Sequence, residues 1–206
     1  MARRSDHTQE ELRELILEAA ERAMAGKGLA GLSARDIARD IGYSPGTIYN
    51  IFANLDDVVL NVEARVLDRL DAKLGQVPAR GTPLQQIRRL AIAYLEFTRA
   101  NPKLWGLLFE HTLPARTKAP AWYAKRLARL LGRLEVALLP LFPTSQHAAA
   151  ARTARVLWAS VHGIASLAVA DKLANVTNAR AEVMLDDLIR TYIAGLAQHS
   201  GRTSRS

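Results

Sequence analysis

The chain has 206 residues, no cysteine, and a formal net charge of +8 from 28 Lys/Arg against 20 Asp/Glu. That length gives one or two domains with a core that stands without covalent staples, and the missing cysteines exclude a disulfide framework, a thiolate zinc site and a cysteine nucleophile. Hydrophobic residues make up 49% of the chain, too many for a disordered tail protein, and no apolar run approaches the roughly 18 residues of a membrane span.

The longest apolar candidate, Leu157 to Ala170, is interrupted by Ser160, His162 and Gly163. The start, Met1-Ala2-Arg3-Arg4-Ser5-Asp6, has no apolar signal-peptide core. A soluble, cytoplasmic protein with no membrane partner is expected. The charge is unevenly spread. Residues 1–57 hold 7 Lys/Arg and 10 Asp/Glu, a net of −3, while residues 58–206 hold 21 and 10, a net of +11. Overall positive charge therefore says nothing for DNA binding by the N-terminal segment, which must be argued from local geometry.

The periodicity is helical nearly throughout. Leu12, Leu15, Ile16, Ala19, Ala20, Ala23 and Met24 repeat at three and four residues; Thr8 with Glu11 forms a capping box before them, and Gly26 and Gly28 end the helix. Ser33 caps a short second helix through Asp40, with Ile37, Ala38 and Ile41 on its apolar side. Gly42 permits a sharp turn. Ser44 caps a third helix, with Pro45 at its first position, ending near Ile51 or Phe52. Asn54 caps a fourth, running to about Leu74.

After a turn-rich stretch from Gly75 to Thr82, Thr82-Pro83 opens a fifth helix, and Asn101-Pro102 separates it from a sixth that ends near His111. Pro114 to Pro120 reads as loop, followed by a seventh helix to Leu139. An eighth spans Ser145 to about Leu173. A ninth carries the stripe Leu185, Leu188, Ile189, Tyr192, Ile193 and Leu196. No strand and no solenoid repeat is expected, and residues 199–206 read as a frayed, disordered tail. The fold class is all-α, with about nine helices.

Residues 33–52, SARDIARDIGYSPGTIYNIF, have helix-turn-helix spacing. Two short helices meet at a tight Gly42 turn, the second offered to a major groove and the first bracing it. Ile37, Ala38, Ile41, Ile48 and Phe52 lock the pair onto the first helix. Gly46 and Pro45 leave room for close approach, and Ser44, Thr47, Tyr49 and Asn50 present hydroxyl and amide groups to phosphates and base edges.

This segment resembles the TetR family of bacterial transcription regulators, through Ala38, Gly42, Ser44-Pro45-Gly46-Thr47-Ile48-Tyr49 and Phe52, followed by an acidic start to the fourth helix. The layout is similar too, with the DNA-binding part first in an all-helical chain. The resemblance implies a helix-turn-helix domain over 1–54 and a helical effector-binding and dimerisation domain over 55–198. It implies that Thr47 and Tyr49 hold phosphates, Tyr49 also reaching a base, that Arg35 reads guanine, and that Pro45, Gly46 and Asn50 meet base edges or the thymine methyl. Arg3, Arg4 and Arg39 would add electrostatic help. Two positions depart from the family pattern. Leu55 stands where many members carry lysine, and Ile51 where many carry histidine or tyrosine, and each replacement removes a phosphate contact. Asp56 and Asp57 also oppose an anion at the start of the fourth helix.

The C-terminal part is similar to a TetR subgroup with a Trp-x-x-x-His-Gly element, here Trp158, His162 and Gly163. Trp158 and His162 lie on one helix face, beside a small-residue strip of Ala159, Gly163 and Ser166. Tyr94, Phe97, Trp105, Phe109, Trp122 and Tyr123 add an aromatic set. Each alone reads as core. Together, Tyr94, Trp105, Phe109, Trp122, Trp158 and His162 read as an apolar effector pocket, with His111 as a further polar group. Lys125, Arg126, Arg129 and Arg133 read most simply as a solvated face, and otherwise as an attraction for anionic effectors or DNA flanks.

No metal spacing, phosphate loop or nucleophile elbow is present, so no enzyme activity, cofactor or metal is expected. The reading is a homodimeric regulator that binds a palindromic double-stranded operator and pairs through its last two helices, most simply a repressor released by a small-molecule effector. The alternative is a helical interaction protein of the same fold that has lost specific DNA binding, supported by the acidic N-terminal balance and Leu55.

Overall fold

Thr8 opens the first helix as its sequence requires. Its hydroxyl accepts from the Glu11 N–H at 3.2 Å while the Glu11 carboxylate accepts from the Thr8 N–H at 2.7 Å, so α1 (Gln9–Lys27) begins on a closed capping box. The structure, a computed structural model, describes residues 7–115 and 117–203, with backbone alone from residue 197 onward. The following helices are α2 (Ala34–Asp40), α3 (Pro45–Ile51), α4 (Leu55–Gly75), α5 (Pro83–Ala100), α6 (Pro102–Glu110), α7 (Ala121–Leu138), α8 (His147–Val169) and α9 (Ala181–Thr203). Single 3-10 turns intervene, and no strand occurs among the described residues.

The caps follow the sequence with one exception. Ser33 accepts from the Asp36 N–H at 3.1 Å, Asn54 from the Asp57 N–H at 2.8 Å, and Thr82 forms a second capping box with Gln85. Ser44 holds the N-cap position of α3 but makes no side-chain cap bond; its hydroxyl lies 3.1 Å from that of Thr47 instead. The Thr47 N–H that such a cap would serve donates to the Ser44 carbonyl at 3.0 Å. Helix α8 stops at Val169, short of the expected Leu173: Asp171 takes a positive φ of 55°, which breaks the helix before Leu173 opens a 3-10 turn. Helix α9 continues through Thr203, past the expected boundary at His199.

The chain divides into two compact units. The first contains residues up to Val66 together with Pro102–Tyr123. Its core gathers Ile16, Ala20 and Met24 from α1, Ile37 and Ala38 from α2, Ile48 from α3, then Phe52, Val58, Val59 and Val62, with Leu107 from α6. The second contains Leu67–Asn101 and the chain from Ala124 onward. There α5, α8 and α9 pack mutually around Ile87, Leu95, Leu157, Leu185 and Ile189, all nearly inaccessible to solvent. Leu185 and Ile189 are the centre of the stripe expected on the ninth helix, so that stripe is partly consumed inside its own unit.

Candidate nucleic-acid interface and the aromatic clusters

Helix α3 is seven residues long, too short to be stable by itself, so its orientation comes from packing. Ile48 and Phe52, one turn apart, are 0% and 2% exposed. The Arg13 guanidinium lies 4.5 Å above the Phe52 ring and donates to Asn61 at 2.5 Å, which in turn donates to the Asp57 carbonyl at 2.7 Å. The turn between α2 and α3 is made by Gly42 at φ 75°, a left-handed conformation that favours glycine. Tyr43 closes it by bonding the Ala38 carbonyl through its N–H at 2.9 Å, and its hydroxyl meets His7 Nδ1 at 2.7 Å.

With Ile48 and Phe52 fixed inward, the opposite side of α3 faces out. Ser44, Pro45, Gly46, Tyr49 and Asn50 are exposed, Tyr49 at 53%, and Thr47 is half-buried. Arg35 is exposed on α2 and has no carboxylate partner among the described residues, whereas Arg39 is tied to Asp36. Hydrogen bonding from Ser33, then the nearby Arg39 charge, holds the Asp36 carboxyl below its usual range. The Arg35 guanidinium thus carries a positive charge that no carboxylate among the described residues offsets. Arg3 and Arg4 lie outside the described residues.

The two departures from the family pattern have a packing reason. Leu55 and Ile51 are partly buried against the core of the first unit, so both extend the apolar floor beneath the α3–α4 turn. Asp57 accepts from the Ala53 N–H at 3.1 Å and from Asn61 at 3.0 Å, and Asp56 faces His111 Nε2 at 3.3 Å. The start of α4 is therefore supplied with acceptors from within the chain.

The six expected effector residues are divided between the two units. Trp105, Phe109 and Trp122 belong to the first unit, and Tyr94, Trp158 and His162 to the second. Trp105 is buried, and Phe109, 47% exposed, meets its ring edge-on at 5.4 Å. In the second unit Trp158 stacks on His162 with ring centroids 5.4 Å apart and planes at 14°. Trp158 hydrogen-bonds Tyr94. The Tyr94 hydroxyl lies 2.8 Å from His162 Nδ1, and His162 Nε2 lies 3.1 Å from Ser166 Oγ. Burial lowers the His162 pKa and raises that of Tyr94. Both side chains are then neutral, and one donor direction fits: indole to tyrosine, tyrosine to Nδ1, Nε2–H to serine. This is a polar chain with apolar walls.

Two features escaped the sequence. His111, in the first unit, has its Nδ1 2.9 Å from the buried Glu63. Burial raises the Glu63 pKa against hydrogen bonds from Tyr123 and His111, and burial with the facing Glu63 raises that of Tyr123. The available signal was Glu63 itself, a carboxylate one position from Val62 on the buried face of α4. Second, the α7 arginines are paired rather than simply solvated. Arg126 and Arg129 bond Asp68 at 3.0 and 2.6 Å, and Arg129 and Arg133 bond Asp71 at 2.9 and 2.6 Å.

Residues 16–62 match the family model described as bacterial regulatory proteins, tetR family, and residues 87–192 match the tetracyclin repressor-like C-terminal domain. The chain belongs to the TetR family. It is a DNA-binding transcriptional regulator, and the helix-turn-helix is its reading head. The HTH-type transcriptional repressor KstR of Rhodococcus jostii (strain RHA1) is 24% identical over 186 residues, 89% of this chain and 87% of that protein. A protein of unknown function from Rhodococcus sp. RHA1 shares the fold at TM-score 0.72 and 25% identity, over 95% of this chain and 99% of that one. A TetR regulator from Streptomyces coelicolor does so at TM-score 0.66 and 18% identity, over 90% and 97%. No helix among the described residues is long and apolar enough to cross a membrane.

Proposed function

We propose that this TetR-family member is a homodimeric repressor of a palindromic operator, released by an apolar or amphipathic small molecule. The observation that carries the DNA half is the outward row on α3 and α2: Tyr49, Asn50 and Arg35 exposed above the buried Ile48. Thr47 and Tyr49 hold phosphates, Arg35 reads a guanine, and Ser44, Pro45, Gly46 and Asn50 lie against base edges. The name of the KstR relative, a repressor, supports the sign of regulation.

Dimerisation through α8 and α9 is supported by what those helices leave uncovered. Val156, Ala159, Gly163 and Leu167 on α8 and Val183 on α9 are exposed. A Cβ at Gly163 would meet nothing within 4 Å. One short recognition helix makes few contacts, and two copies related by a twofold axis read a palindrome. The domain assignment follows: 1–54 reads DNA, and 55–198 pairs and binds the effector.

For the effector, the Trp158–Tyr94–His162 chain of the Trp-x-x-x-His-Gly element offers a flat aromatic wall and donors that exchange partners, while Trp105, Phe109 and Trp122 supply apolar surface in the other unit. A released repressor requires the ligand to favour the DNA-incompetent state. The deciding experiment selects operator sequences from random DNA and measures affinity against salt. A repressor gives saturable binding that weakens steeply as salt rises, and the ligand then weakens it while changing tryptophan fluorescence. Salt-independent, sequence-blind association would favour the interaction-protein reading instead.

A further inference from the structure

On the second unit, the last turn of α4, the connection after it and one stripe of α5 enclose a groove of about 640 Å³. That is within the range of small-molecule sites, about 300–1,000 Å³. Val77 and Ile92 contribute apolar wall, and Lys73, Arg88, Arg89 and Glu96 contribute charge. The stripe on α5 differs from the buried face that carries Ile87, Leu90, Tyr94 and Leu95, so the groove is separate from the aromatic–histidine chain.

The charges of the groove are not balanced. Lys73 meets Glu96 at 2.9 Å and Arg88 meets Asp186 at 2.5 Å. Arg89 has no carboxylate partner among the described residues. Its Nη2 donates to the carbonyls of Pro78, at 3.3 Å, and Arg80, which are dipoles and leave a full positive charge uncompensated. Its Nε is buried and has no hydrogen-bond acceptor, a state that is costly and therefore uncommon in folded proteins. The carbonyl bonds hold the guanidinium in place, so it is already organised for an oxyanion.

We propose that this groove is a second small-molecule site, for an anionic amphipath: a carboxylate or phosphate head on Arg89, with Lys73 and Arg88 at the rim, and an apolar tail along Val77 and Ile92. Such a ligand supplies the acceptor and the negative charge that the fold withholds.

Calorimetric titration of the full-length protein with sodium octanoate tests this, with sodium phosphate and 1-octanol as head-only and tail-only probes. Octanoate should bind saturably, at least tenfold tighter than either partial probe. Arg89→Gln should weaken it at least tenfold. Ile92→Glu should do the same by placing a carboxylate in the groove, and it leaves the carbonyl bonds of Arg89 untouched, so it serves if Arg89→Gln unfolds by circular dichroism. Trp158→Ala should leave octanoate affinity unchanged. The proposal is overturned by absence of millimolar binding, by phosphate or octanol binding as tightly as octanoate, or by binding that falls with Trp158→Ala and ignores Ile92→Glu. That last result would assign the ligand to the aromatic–histidine chain.

Discussion

The reading head and the aromatic–histidine chain are built on different length scales. In the first, the turn and the inward face of α3 are set within residues 33–52, which pack on α1 and the start of α4. Gly42 sets the turn, and Ile48 and Phe52 set the face. In the second, the decisive contact joins Tyr94 to His162 across 68 positions of sequence. The difference teaches where function is written. A DNA-reading surface follows from local geometry, because once two inward residues are fixed the helix period places the rest. The aromatic–histidine chain depends on which distant helices meet, and no local pattern encodes that.

The comparison is broken most severely by removing an inward residue of the reading head. Phe52→Ala should cost about 3–5 kcal/mol by deleting a buried aromatic and should also release Arg13 from its ring. Chemical denaturation measures the loss, and operator binding should fail at the same time. A cost below about 1 kcal/mol would mean that Phe52 does not orient α3.

Outward residues should instead leave stability alone. Arg35→Ala should cost about 1–3 kcal/mol of operator binding and relax one position in each half-site, while Tyr49→Phe and Thr47→Ala weaken all sequences alike. Anisotropy against an operator series separates the two patterns. The same logic applies to the pairing face. A Cβ at Gly163 meets nothing within 4 Å, so an overpacking cost of about 1–3 kcal/mol for Gly163→Leu points to a partner. Light scattering should give twice the chain mass for wild type and a shift toward a single chain for the variant, with thermal stability of the isolated chain unchanged.

Most helices, the Gly42 turn and the inward residues of α3 were legible in the sequence because capping boxes, Pro at the first turn and apolar ladders are local signals. Thr8 with Glu11 and Thr82 with Gln85 formed as their spacing required. What was not legible is non-local. Trp105, Phe109 and Trp122 fall in a different unit from Tyr94, Trp158 and His162, because α6 and the first turn of α7 join α1 and the N-terminal half of α4. Leu185 and Ile189 looked available for a partner, yet α5 and α8 bury them. An amphipathic stripe states that something covers it, not what.

Glu63 gives a smaller effect, visible as a slope. Burial raises its pKa above the usual 4.5 in the folded chain, so the folded state holds a proton that the unfolded state has released. Its contribution to stability is therefore full below about 4.5 and is lost as pH rises through the folded value. The groups facing it are His111 and Tyr123, with Asp56 on the far side of the imidazole. Glu63→Gln keeps an acceptor and removes the buried charge. Its stability relative to wild type should increase from pH 4.5 toward neutrality, and a parallel pair of pH profiles would show that the carboxylate titrates normally.

The smallest effect should come from the α4–α7 ion pairs, where the sequence reading and the structure differ in geometry more than in energy. Arg126, Arg129 and Arg133 were expected on a solvated face, and they do stay there: their side chains are 32–53% exposed even while bonded to Asp68 and Asp71. Arginine hydrogen bonding lowers the Asp71 pKa, which places its contribution above the usual carboxylate range and removes it as pH falls through the folded value. Solvent screens such pairs strongly, so Asp71→Asn or Arg133→Gln should each cost roughly 0.2–1 kcal/mol, shrinking further at 1 M salt, where the screening length is about 3 Å. A double-mutant cycle between Asp71 and Arg133, run at low and high salt, isolates the pair. A coupling well above 1 kcal/mol that survived high salt would mean the pairs are shielded from water in solution, and that α7 is held to α4 far more firmly than exposed arginines allow.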